Sequence, residues 1–223
     1  MSAKNSSSTA RKARIEEMRR AERSRERRNR ILTIGASVVI VAGLVVGGTV
    51  LVRSQSDKST NADSGKAADA NVTGKFVMGD DGVKTWKGKL SQGHPTTSVK
   101  YPMTPPVGGD HNPVWQNCNG DVYDKAIKNE NAVHSMEHGA VWVTYNSKAS
   151  DADVKALAEK VKKTPYTMMS PLEAQKDPIM LSAWGVQRTV KSAADPDLDK
   201  FFAKYVQGEQ TPEPGAACTN GLS

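Results

Sequence analysis

The chain has 223 residues, 37% of them hydrophobic and 25% charged, with a formal net charge of +7. Its first thirty residues carry eleven Lys/Arg and four Glu, so the whole net charge resides there and the remaining 193 residues balance twenty of each sign. A basic surface spread over the fold, as a nucleic-acid binder needs, is thereby excluded.

Behind this basic tail, residues 1–30, Ile31 to Val52 form a 22-residue apolar run without a charge. As a helix rising 1.5 Å per residue it reaches about 33 Å, enough to cross a hydrocarbon core. A cleaved secretory signal has a shorter apolar core and a small-residue cleavage site, and Val-Val-Gly-Gly-Thr-Val at 45–50 offers no such pattern. Residues 31–52 are therefore expected to be a single-pass transmembrane helix in the plasma membrane. The positive-inside rule keeps the tail cytoplasmic and places the C-terminal domain outside. Gly43, Gly47 and Gly48 present small surfaces on which a membrane-protein partner's helix can pack.

Residues 53–75 are mostly Ser, Asp, Lys, Asn, Gly and Ala, too polar to bury a core, and read as a disordered linker. The remaining residues, 76–223, suit one ordinary domain. Pro95, Pro102, Pro105, Pro106 and Pro113 interleave with Gly93, Gly108 and Gly109, which predicts a long ordered loop from Gly93 to Asn117 anchored by Tyr101, Met103, Val107, Val114 and Trp115.

Asp121 to Met136 is expected to be helical in part, and Ala140 to Tyr145 is a β-rich run that reads as a core strand. Ser150 or Asp151 caps a helix over Asp153–Lys163, with Val154, Leu157, Ala158 and Val161 on one face. Tyr166–Met169 and Pro178–Gly185 read as strands, the second continuing through Val186 to Val190. Asp195-Pro196 then opens a helix to Tyr205 or Val206 with Leu198, Phe201, Phe202 and Tyr205 facing inward. This order predicts an α+β domain: a small, largely antiparallel sheet with packed helices, preceded by one transmembrane helix.

Cys118 and Cys218 are the only cysteines. In an exported domain they are expected to pair, closing a loop of about 100 residues worth about 4–5 kcal/mol on the loop-entropy account and pinning the irregular tail to the middle of the domain. No Cys-x-x-Cys of the thioredoxin kind is present.

The four histidines all lie between residues 94 and 138. On a helix Glu130, His134 and His138 share one face, and two histidines four apart can hold one ion. His134-Ser-Met-Glu137-His138 also fits the short His-x-x-Glu-His pattern of zinc hydrolases, although Gly139 cuts the helix at its second histidine. His111 lies in the Pro/Gly loop, and Met103 and Met136 add sulfur donors. Imidazole with thioether points to copper, with zinc as the weaker candidate. The expected ligands are His111, His134, His138, Met103 and Met136, with Glu130 or Glu137 orienting an imidazole. A structural role for the same histidines, hydrogen-bonded around a buried turn in a non-catalytic accessory or partner-binding domain, is the competing reading.

Several long stretches resemble one family. Tyr101-Pro-Met-Thr-Pro-Pro-Val-Gly-Gly-Asp-His-Asn-Pro-Val-Trp115, Glu130-Asn-Ala-Val-His-Ser-Met-Glu-His-Gly-Ala-Val-Trp142, Leu181-Ser-Ala-Trp-Gly185 and the tail Gly208 to Cys218 are similar to the actinobacterial membrane-anchored family DUF3105. The resemblance implies a single-pass protein with an exported domain and carries no activity or ligand with it. It marks His111, Trp115, Cys118, Glu130, His134, Glu137, His138, Trp184 and Cys218 as signature positions.

Overall fold

The computed structural model describes residues 67–223. The basic tail, the apolar run 31–52 and the linker up to residue 66 lie outside the described residues. Among the described residues no helix is long and apolar enough to cross a membrane.

Ordered structure begins earlier than residue 76. Strands β1 (Ala68–Asp69) and β2 (Val72–Met78) occupy what the sequence assigns to the linker's end, and β2 pairs antiparallel with β3 (Lys84–Leu90) along its whole length. The ribbon escapes a periodicity search because most of its residues face solvent, so neither strand carries a clean apolar face. A short β4 (Val99–Lys100) pairs parallel with β1.

The remaining elements follow as β5 (Asn119–Val122), α1 (Asn129–Glu137), β6 (Val141–Tyr145), α2 (Asp151–Lys162), β7 (Thr167–Pro171), β8 (Ile179–Ala183), β9 (Val186–Val190) and α3 (Pro196–Tyr205). One seven-stranded sheet runs β2-β3-β9-β8-β6-β7-β5. Its β2-β3-β9-β8-β6 portion is antiparallel, while β7 pairs parallel with both β6 and β5.

The α+β class holds and four of the six strand pairings are antiparallel as expected, but the sheet is larger than expected and mixed, with β7 parallel to both its neighbours. The reason lies in α2. Twelve helical residues carry the chain back about 18 Å between β6 and β7, so β7 starts where β6 started and runs beside it in the same direction.

The helices obey their local signals to different degrees. Ser150 caps α2 by accepting from the Asp153 N–H, and Leu157 and Val161 are buried. Asp195 caps α3 through the Asp197 N–H, Pro196 supplies the preset φ of the first turn, and Leu198, Phe201, Phe202 and Tyr205 are buried as their spacing predicts. The α1 helix has no side-chain cap and is buried from Glu130 to Glu137. Its Ala132, Val133 and Met136 join the hydrophobic core with Trp142, Met168, Met169 and Leu181. Strand β6 is covered on both faces, with Val141, Trp142, Val143 and Thr144 all inaccessible, and the Trp142 Nε1–H donates to Ser170 Oγ at 3.0 Å.

Candidate metal centre

The site forms where three chain segments meet the polar side of α1. The expected long loop is ordered: Pro105 to His111 is buried throughout, and the segment from Asn112 to Gln116 is fastened to α1. The Asn131 side chain donates to the Val114 carbonyl. Ser135 Oγ donates to the Gln116 carbonyl at 2.6 Å and accepts from its N–H at 3.1 Å. The second segment is the β3–β4 connection. Gly93 N–H donates to Asp110 Oδ1 at 2.8 Å, and His111 N–H donates to the Gly93 carbonyl at 2.8 Å, so His94 is held beside His111. Burial by itself would raise the Asp110 carboxyl, but hydrogen bonds from Ser91, Asn71 and Gly93 hold it below the usual carboxylate range.

The third segment is the tail after α3. Glu213 N–H donates to the Glu137 carbonyl at 3.0 Å, Cys118 N–H donates to the Cys218 carbonyl at 2.8 Å, and Cys118 and Cys218 form the disulfide the sequence led one to expect. Gly139 ends α1 with φ +94°, a conformation that needs glycine, and a Cβ there would run into the Gln207 side chain and meet Thr211 Cγ2 at 2.9 Å.

Four side chains able to ligate a metal converge: one atom each from His94, His111, His134 and Glu137, no two more than 4.8 Å apart. His111 and Glu137 are essentially inaccessible, His134 is 7% exposed, and only the His94 side chain, 41% exposed, reaches solvent. The hydrogen bonds fix the imidazole tautomers. A carbonyl can only accept, so His111 Nδ1 donates to Gly109 O (2.8 Å), His134 Nδ1 to Asn112 O (2.7 Å) and His138 Nδ1 to Ala217 O (2.6 Å). In the neutral ring each then presents its Nε2 lone pair. Backbone carbonyls behind a ring are the arrangement that orients metal-binding histidines.

His111 Nε2 lies 2.9 Å from Glu137 Oε2 and 3.1 Å from His94 Nε2, and His94 Nε2 lies 3.6 Å from the same carboxylate oxygen. Two acceptors, a lone pair and a carboxylate oxygen, therefore face each other at hydrogen-bond distance. A positive charge must sit at that junction, either a proton or a metal ion. Glu137 Oε1 is buried with no hydrogen-bond partner. Burial alone would raise the Glu137 carboxyl, but a proton on His111 Nε2, donated to Oε2, outweighs it and holds the carboxyl below the usual range, so in that state it is anionic. Burial pushes His134 down to about 4 and also lowers His138, which keeps both rings neutral at pH 7.

The sequence expectations divide here. His111 and His134 converge as expected. Glu137, expected behind the ligands, stands among them. His94 was missed, because a histidine in a Gly/Pro loop carries no periodic signal; its only hint was the confinement of all four histidines to 94–138. His138 falls outside the four-residue group, its ring packed against His134 at 4.5 Å between centroids.

Met136 is fully buried in the core, about 200° around the helix from His134, and is not a ligand. Met103 is half-buried on the loop. The Glu130 side chain is buried outside the group, and backbone carbonyls do the orienting it was expected to do.

Residues 93–220 match the family described as "Protein of unknown function (DUF3105)". The match covers more than half of the chain, begins one residue before His94 and takes in the whole site. The chain belongs to this family. No curated protein and no solved structure matches it.

Proposed function

We propose that this DUF3105 member binds one divalent transition-metal ion through His94, His111, His134 and Glu137. The observation that carries the reading is the meeting of His111 Nε2 with Glu137 Oε2 at 2.9 Å while His111 Nδ1 is committed to Gly109 O. A proton would relieve that one contact and leave the His134 lone pair and Glu137 Oε1 unserved. A cation serves all four side chains. Bonds of about 2.0–2.1 Å place neighbouring donors about 2.9–3.4 Å apart in octahedral or tetrahedral sites, close to the 2.9, 3.1 and 3.6 Å found here. Separations within the group reach up to 4.8 Å, so the donors must draw together on loading, and exposed His94 is a ligand with room to move.

The four donors of the group are nitrogen and oxygen, which favours cupric copper over cuprous. At a site of this kind the Irving–Williams order places Cu(II) above Zn(II). Simple binding is favoured over zinc hydrolysis. In the His-x-x-Glu-His pattern the glutamate must be free to activate water, whereas Glu137 stands within 2.9 Å of an imidazole nitrogen, and the second histidine, His138, lies outside the group.

In the reading proposed, residues 31–52 tether the domain to the outer face of the plasma membrane, with tail 1–30 cytoplasmic. The buried disulfide supports an oxidising compartment, and a membrane-protein partner would be met through the span.

Elemental analysis and copper and zinc titration of the full chain test the metal reading, run beside His111→Ala and His134→Ala variants whose folding is checked by circular dichroism. Bound metal lost in folded variants is the expected result. A wild-type protein that takes up neither ion would remove the proposal.

A further inference from the structure

The β2–β3 ribbon carries a basic face away from the metal centre. Residues paired across an antiparallel ladder share a face, and so do residues two apart along a strand. The pairs Thr73–Lys89, Lys75–Lys87 and Val77–Thr85 therefore lie on one face of the ribbon. The opposite face is the packed one: Phe76 meets Trp86 at 5.1 Å between centroids, and Leu90 joins the edge of the core. On the free face Lys75 stands directly opposite Lys87, a like-charge pairing that weakens a ladder. Lys75, Lys87 and Lys89 are exposed, and none forms an ion pair among the described residues. The helices treat their lysines differently, since Lys160, Lys162, Lys200 and Lys204 each face a carboxylate.

The basic face runs into a cleft of about 500 Å³ where the ribbon meets the β1–β4 pair, lined by Asp69, Asn71, Thr73, Lys89, Lys100 and Tyr101 among others. That is the size of a small-ligand site, and two lysines against one carboxylate make it cationic. Toward the ribbon's tip, Val77 is 43% and Met78 58% exposed, two of the four large hydrophobic residues that face solvent among the described residues. The turn beyond them holds Asp80 and Asp81, and Asp81 is drawn to Lys204 at 3.3 Å. Unpaired ammonium groups beside exposed apolar side chains suit a bilayer surface, where the first meet lipid phosphates and the second enter the head-group layer.

We propose that the free face of the ribbon docks on an anionic phospholipid surface, with Lys89 and Lys100 taking a lipid phosphate in the cleft and Val77 and Met78 entering the head-group layer. The inference rests on the membrane tether proposed above and is independent of the metal. The chain selects the occupant. The cleft begins at Asp69, and the 15 residues between Val52 and Ala68 reach at most about 50 Å when fully extended. A bilayer at the end of that tether is always within reach and so at high effective concentration, whereas a soluble anion must arrive by diffusion.

The test is lysine acetylation of the full chain in nanodiscs of phosphatidylcholine, alone or mixed with phosphatidylglycerol, with labelling rates read residue by residue by mass spectrometry. Phosphatidylglycerol should slow the labelling of Lys75, Lys87, Lys89 and Lys100 about tenfold. Exposed Lys155 and Lys163, on and just after α2, should keep their rates. High salt should restore the slowed rates, because it screens the attraction. Lys75→Gln/Lys87→Gln, which leaves the packed face untouched, should return Lys89 and Lys100 to their rates in phosphatidylcholine.

Equal rates in the two lipids at all four lysines overturn the docking and leave the tether standing. Slowing that reaches Lys155 and Lys163 to the same degree overturns it as well, because no face is then preferred. Protection by soluble glycerophosphoglycerol in phosphatidylcholine discs, matching that of phosphatidylglycerol, replaces the bilayer with a free phosphodiester as occupant. A chain that does not assemble with phosphatidylcholine discs at all fails the tether reading and this inference with it.

Discussion

Helices α1 and α3 are of nearly equal length and are built on opposite principles. The α3 helix carries its own instructions: a capping Asp195, Pro196 in the first turn, and an apolar stripe from Leu198 to Tyr205. The α1 helix has no side-chain cap and is buried on its polar side as well as its apolar one. What holds its polar side is supplied from elsewhere: the Asn112–Gln116 loop on Asn131, His134 and Ser135, and the C-terminal tail on Glu137 and His138. A helix that displays five polar side chains into the interior cannot be stabilised by an amphipathic stripe, so the fold encloses it. The lesson is that the helix carrying the histidine cluster depends on long-range contacts and α3 on local ones.

The largest expected break of that contrast is removal of the disulfide. Replacing Cys118 and Cys218 together by serine releases the tail from the loop. On the loop-entropy account this costs about 4–5 kcal/mol, read as a lower denaturant midpoint. Metal affinity should fall with it, because the loop beside Cys118 carries His111 and the tail that ends at Cys218 donates to the Glu137 carbonyl through the Glu213 N–H.

On the other side, Phe201→Ala on α3 should cost about 3–5 kcal/mol through the cavity it leaves. It should leave metal stoichiometry unchanged in whatever fraction remains folded. A protein in which Phe201→Ala abolished metal binding while still folded would contradict the division.

Metal itself sharpens the comparison. At free metal about 100-fold above its dissociation constant, the wild type should gain about 2.7 kcal/mol, seen as a higher melting temperature, and His111→Ala should gain much less. Hydrogen exchange should slow chiefly in α1 and the loop it holds, with α3 little changed. Equal protection of both helices would show that they are not energetically separate.

Smaller effects belong to the caps. Asp195→Ala should cost about 1 kcal/mol and leave metal uptake intact. Asp195→Asn, which keeps a capping oxygen, tests charge alone. Hydrogen bonds from the Lys191 and Asp197 N–H groups hold the Asp195 carboxyl below its ordinary 3.8. A carboxyl lowered in the folded state contributes stability above its unfolded value, and that contribution is lost as pH falls through the folded one. The difference between wild type and Asp195→Asn should therefore be constant at neutral pH and shrink below about pH 4. A gap that widened in acid would reverse the sign and refute the cause.

How much was legible follows the same line. The Ser150 and Asp195 caps, the Leu157/Val161 and Phe201/Phe202 faces, strand β6 and the Cys118–Cys218 pair were all readable, because each rests on residues adjacent in sequence or on a count of two cysteines. The β2–β3 ribbon was not, since a mostly exposed pair of strands shows no apolar alternation. Nor was the parallel placing of β7, which depends on where α2 delivers the chain. Within the site, His134 and Glu137 were legible as neighbours on a helix. His94 was not, because a loop histidine is recruited by Asp110 and Gly93 across 17 residues of chain. Met136 was misread because chemistry alone does not tell which face of a buried helix meets the core.

The sequence by itself determined the charge asymmetry, the apolar run of 31–52, the two cysteines and the supply of imidazoles. All of these are properties of composition and of local order along the chain. Only the tertiary structure decided which imidazoles share a point, which ring nitrogen each presents, and that Glu137 stands among them. Those outcomes depend on backbone carbonyls at Gly109, Asn112 and Ala217, and a carbonyl is common to every residue, so no side-chain pattern announces where it will point.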